Sequence, residues 1–221
     1  QWELSNEDGT VPFKVGDIVT YHPSQTYLWS LNPAEARRRY VQEIRPQIKH
    51  SFLLKGASTR ALSETTSNAN PNNAARGGVA LDALYERLFT PNFAWDLGAR
   101  YEREVINLPA GSLITQRALL MADVLYYFDP LEDFYAARFF GALGLGFGQS
   151  STAADGLRQS GTALLLPSVK LGVSLPFNRD WDFITEGAFE SLKTHEKIQN
   201  LGYQATTQSN LRIGPGLRRS S

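Results

Sequence analysis

Cysteine is absent from the 221-residue chain. That excludes disulfide staples, thiolate metal centres, cysteine nucleophiles and a lipid-modified N-terminal cysteine. Histidine is scarce: His22, His50 and His195 are all there is, too few for a His-rich centre. No metal or cofactor site is expected. An excess of one charge sign is lacking too. The 22 Lys+Arg balance the 22 Asp+Glu, and there is no long basic run, so nothing steers the chain toward nucleic acid. A long apolar run is also missing. The longest, roughly 139–147, is about half of the ~20 residues that a membrane helix requires. If this chain enters a membrane, it must do so as a closed barrel, because only then is every backbone polar group paired. The chain opens at Gln1 without a charged-then-apolar leader, which fits a signal peptide already cleaved.

What is present points to strands. Eighteen glycines and 11% aromatics suit a β-rich protein better than a helical bundle. Residues 1–37 stand apart as an N-terminal extension punctuated by Pro12, Pro23 and Pro33. Within it, 13–21 reads as one short strand, and Asn32-Pro33 as a helix start. From Tyr40 onward the dominant period is two. Phe93, Trp95, Leu97, Ala99 and Tyr101 share one face, while Asp96, Arg100 and Glu102 share the other. Ala118, Leu120, Ala122, Val124 and Tyr126 oppose Arg117 and Asp123. Phe139, Gly141, Leu143, Leu145 and Phe147 oppose Arg138, Ala142, Gly144, Gly146 and Gly148. Leu165, Val169, Leu171, Val173 and Leu175 oppose Ser168, Lys170, Gly172 and Ser174. Such alternation argues strand. Weaker versions recur with Ile44, Ile48, Phe52 and Leu54 against Glu43, Arg45 and Lys49, and with Phe183 and Phe189 against Asp182, Glu186 and Glu190. Leu211, Ile213 and Leu217 alternate with Arg212 and Arg218. Residues 78–89, with Val79, Leu81, Ala83 and Tyr85 on one face, read as strand or, through Leu81, Leu84, Tyr85 and Leu88, as helix. Eight strands result. The connections after the second, fourth and sixth read as short, and those at 58–76, 149–162 and 193–209 as long and polar.

Period two alone leaves open which face is wet: a lipocalin-like barrel with its apolar face inside is one solution and an antiparallel sandwich is another. Three features favour lipid on the apolar side. The polar face carries both signs, in Glu43, Arg45, Lys49, Asp96, Arg100, Glu102, Arg117, Asp123, Arg138, Lys170, Glu186, Glu190 and Arg212. Small residues between these charges let them pack a narrow lumen. Aromatics flank the short turns: Phe93, Trp95, Tyr126, Tyr127, Phe128, Tyr135, Phe177, Trp181 and Phe183, as in an interfacial girdle. The strands also supply the ~9–11 residues that cross a bilayer at a tilt.

These features resemble the small eight-stranded outer-membrane barrels, of the type of the membrane domain of outer-membrane protein A and of outer-membrane protein X. The resemblance covers about residues 38–221 and rests on pattern rather than on a diagnostic motif. It implies an all-β, antiparallel, up-and-down transmembrane barrel in a bacterial outer membrane, in contact with lipid and lipopolysaccharide, with both termini periplasmic. A structural or anchoring role within an envelope assembly follows as the expectation, with a lumen plugged by charge. Two other classes stay open: an outer-membrane enzyme acting on lipid or glycolipid, and a soluble binding barrel. For the enzyme the candidate residues are Glu190, Ser191, His195 and Glu196, although a lone histidine in a polar stretch is more often simply solvated. Gly144-Leu-Gly-Phe-Gly148 has the wrong spacing for a dinucleotide loop. In the extension, Val15, Ile18, Val19, Tyr21 and Trp29 are costly to leave in water. Folding under the barrel mouth is one way to bury them; the favoured expectation is that they dock on a periplasmic partner by adding a strand to its sheet edge.

Overall fold

The computed structural model describes residues 49–67, 76–108, 111–129, 131, 137–154, 157–177, 180–198 and 202–220. The extension, with its expected strand, helix start and docking residues, lies outside the described residues, as do Glu43, Arg45 and Tyr135.

Among the described residues eight strands form in chain order: β1 (His50–Thr66), β2 (Arg76–Leu88), β3 (Phe93–Leu108), β4 (Gly111–Tyr127), β5 (Arg138–Ala154), β6 (Leu157–Pro176), β7 (Trp181–Ile198) and β8 (Gly202–Ser220). Each pairs antiparallel with the next, and β8 returns to pair with β1, which closes the barrel. The stretch expected at 78–89 settles as strand as far as Leu88, within β2, because Val79, Leu81 and Tyr85 alternate outward while Asp82 and Glu86 point in.

The barrel is inside out relative to a soluble protein. Leu120, Leu143 and Leu171 are 68%, 65% and 68% exposed, whereas Arg100 and Arg212 are each 1% exposed. A soluble binding barrel would have put those leucines inside. The outward apolar residues form a belt, running from Phe93 to Tyr101 on β3, Ala118 to Tyr126 on β4 and Phe139 to Phe147 on β5. Each spans about nine residues, the length that crosses a bilayer at a tilt. A large apolar side chain left in water forgoes about 1.5–3 kcal/mol, so a belt of this extent calls for an apolar surround.

The strands outrun the belt, and here the structure corrects the expected connections. The polar stretches 58–66, 149–154 and 193–198 are strand rather than loop. The links between β5 and β6 and between β7 and β8 are correspondingly short. Apolar alternation vanishes where both faces are polar, but ladder hydrogen bonds need no apolar side chain, and the threonines there suit the pleat. The asymmetry between the two barrel ends therefore lies in strand length, not loop length. The near end carries the β2–β3, β4–β5 and β6–β7 links. At the far end the sheet projects beyond the apolar belt.

One face assignment also changes. Leu165, expected beside Val169 and Leu171 on the outer face, is buried inside. The register breaks between Leu165 and Ser168, where Leu166 and Pro167 both face outward. Proline donates no N–H and sits at such bulges, and one extra residue flips the alternation. Gly144 marks a close approach inside: a Cβ there would collide with the Asp123 carboxylate.

Candidate functional site

The lumen gathers the chemistry. Among the described residues, inward positions on every strand deliver nine buried carboxylates and seven buried cations. Burying an ion costs several kcal/mol unless geometry and hydrogen bonds offset it, and the offsets come in three groups along the barrel axis.

At the near end Arg218, on β8, reaches across the interior. It pairs with Asp182 and with Glu86 (3.2 Å), and its Nη1 donates to the Tyr127 hydroxyl (2.6 Å). Tyr127 in turn donates to Glu86. Its ring is flanked by the guanidinium groups of Arg138 and Arg218, 5.2 and 5.3 Å from the centroid, within cation–π range. Arg138 also donates to the carbonyls of Phe128 (3.0 Å) and Pro91 (2.9 Å), tying the lumen floor to two near-end links.

The middle group is the densest. Arg100 holds Asp82 (2.8 Å) and Glu190 (2.9 Å). Arg212 holds the same Asp82 (2.9 Å) and also pairs with Glu186. Lys55 closes on Glu186 from β1 (3.0 Å), and Ser168 donates to Glu190 (3.1 Å). Beside this chain Lys170 pairs with Asp123. Asp96 sits opposite Asp123 in the β3–β4 ladder, and among the described residues no cation pairs with it.

Toward the far end Arg117 donates to Glu104 (2.8 Å) and Glu102 (3.4 Å), and Gln208 donates to Glu104 (2.7 Å). Above them lies a polar recess of about 90 Å³, lined by residues including Glu64, Thr115, Glu196 and Gln204. Glu196 accepts from Ser150 (2.6 Å) and Thr152 (3.1 Å). A recess of this size admits water.

Of the lumen charges expected from the sequence, Asp96, Arg100, Glu102, Arg117, Asp123, Arg138, Lys170, Glu186, Glu190 and Arg212 all lie in this interior. Lys49 does not. It has the inward parity but stands exposed, one position before β1 begins. Lys55, Asp82, Glu86 and Glu104 are interior residues that the sequence reading passed over. The alternation that turned Leu81 and Tyr85 outward would have found Asp82 and Glu86. Tyr127 turns inward, away from the aromatic flanks with which it was grouped.

The aromatics of the near end stand on the outer face. Phe93, Tyr126 and Phe128 pack edge-on in sequence, with centroids 4.9 and 5.1 Å apart. Phe177 and Phe183 are exposed, and Trp95 and Trp181 are half-buried. Trp95 meets Tyr85 at 5.7 Å, and Phe52 meets Tyr85 at 5.5 Å. The candidate hydrolase group is not assembled: His195 points outward, whereas Glu190 and Glu196 point into the lumen.

A scan of protein-family models finds no match, and no curated protein matches the chain. Among solved structures the chain is similar to Neisserial surface protein A, at a TM-score of 0.53 and 15% identity, over 77% of this chain and 97% of that one. It is also similar to the outer membrane protein OprG from Pseudomonas aeruginosa, at a TM-score of 0.49 and 12% identity, over 80% and 99% of the two chains. The first likeness bears on the fold, which is that of a small outer-membrane barrel.

Proposed function

We propose that this chain is an integral outer-membrane barrel whose lumen is closed by its own ion pairs, and that it serves a structural, anchoring role as the membrane component of an envelope assembly. The observation that carries this reading is the inversion of the barrel: leucines more than 60% exposed stand outside, and arginines 1% exposed stand within. An eight-stranded interior is only wide enough to be filled by side chains, and Arg100, Arg212, Arg218 and Tyr127 span it. The near end, where β1 begins and β8 finishes, faces the periplasm in this reading, with both termini on that side. The far end projects outward beyond the membrane, among lipopolysaccharide. The extension supplies the contact with a periplasmic partner through Val15, Ile18, Val19, Tyr21 and Trp29, since a closed barrel offers no free edge to a further strand. No catalytic, cofactor or nucleic-acid role enters this reading.

The test is reconstitution of the full chain in planar bilayers, after its heat-modifiable migration on a gel has established a folded barrel. No steady conductance of nanosiemens size is expected. A stable open pore would overturn the closed lumen, and a chain that never becomes heat-modifiable in detergent would overturn the membrane barrel.

A further inference from the structure

The fold sorts the charged side chains of the described strands by face. Among the described residues, every strand carboxylate faces the lumen, while the exposed charged side chains on the strands are all cations: Arg60, Arg87, Arg103, Lys193, Lys197 and Arg219. Three basic residues fall in one column. Above Phe189, where the apolar belt ends on β7, the outward positions run Ser191, Lys193, His195, Lys197. Successive residues on one strand face stand about 6.7 Å apart, so Lys193 and Lys197 are about 13 Å apart with an imidazole between them. The flanking strands add hydroxyls and no acid. Lys197 is paired with Ser160 and Tyr203, His195 with Thr162, and Lys193 with Thr207. Within the described residues none of the three basic side chains has an ion-pair partner.

We infer that this β7 column binds the phosphate groups of a phosphorylated glycolipid in the leaflet at the far end. This rests on the membrane reading above and deepens it by naming the lipid chemistry and the site. Ammonium groups facing phosphate make charge-assisted hydrogen bonds. The column's place directly above the belt sets it at headgroup height when the acyl chains lie against Leu164, Phe189 and Leu211, which are 39%, 47% and 39% exposed. A soluble polyanion would gain nothing from that apolar ledge, so the lipid is the occupant that satisfies both halves of the surface.

Native mass spectrometry of the full chain in detergent tests this, with bisphosphorylated lipid A and its dephosphorylated form as probes. The wild-type chain should hold the phosphorylated lipid at least tenfold more tightly. The combined Lys193→Gln, His195→Gln, Lys197→Gln variant should lose that preference, whereas Arg87→Gln with Arg219→Gln, at the other rim, should keep it. Equal binding of the two lipids by the wild-type chain would overturn the inference without needing any variant. So would a preference that survives the triple substitution, or one abolished by millimolar inorganic phosphate, which would mark a free-anion site. In each case heat-modifiability stands as the separate check on the barrel itself.

Discussion

Asp82 accepts hydrogen bonds from two guanidinium groups, Arg100 and Arg212, and neither cation can turn to water. Removing its charge leaves both under-compensated in a dry interior, where breaking such a pair costs about 3–5 kcal/mol. Asp82→Asn should therefore lower the unfolding free energy of the barrel, read from a denaturant titration in lipid vesicles, by an amount in that range. Asp96→Asn makes the contrast. No described cation pairs with Asp96 and its ladder neighbour Asp123 is another carboxylate, so neutralising it should cost less than about 1 kcal/mol, or even stabilise. Equal losses at the two positions would mean that the ion pairs do not govern interior stability. The same contrast explains what the sequence could and could not reveal. The inward parity of both aspartates was readable from their apolar neighbours. Which carboxylate found a cation was not, because the partners come from strands far apart in the chain.

The strands themselves carry two environments in succession. On β4 the outward row runs Tyr126, Val124, Ala122, Leu120, Ala118 and then Gln116, apolar until its last member. Leu120→Arg, at mid-belt height, should cost roughly 2–4 kcal/mol in a folding titration, and Gln116→Arg, at the belt's edge, no more than about 1 kcal/mol. Similar costs at both would place the membrane elsewhere along the strand. Up to that edge the elements were legible where apolar side chains alternate with polar or small ones, as from Phe93 to Tyr101 on β3. Beyond it the signal failed. Residues 149–154 and 193–198 carry polar or small side chains on both faces for most of their length, so no apolar period survives and they read as loop. On β6 the failure has another cause: a bulge at Leu166-Pro167 exchanges the two faces in mid-strand, and the parity counted from Val169 cannot be carried past it to Leu165.

For the molecule as a whole, the ladders close without the extension: β1 begins at His50 and pairs on one side with β2 and on the other with β8. Deleting residues 1–37 should leave heat-modifiable migration unchanged while removing any periplasmic partner that co-purifies with the full chain. Loss of the folded barrel on deletion would make the extension part of the fold instead. The cross-lumen contacts carry a consequence for how such a barrel comes into being. Lys55 meets its carboxylate 131 residues away, Arg212 reaches Asp82 across 130, and Arg218 reaches Glu86 across 132. A β7–β8 hairpin entering the bilayer first would present Asp182, Glu186, Glu190, Arg212 and Arg218 to hydrocarbon with half their partners still unmade. Piecemeal entry is thus uphill at every step until the first and last strands meet. The barrel should cross from water to membrane as a single concerted passage, its two ends zipped before its middle is dry.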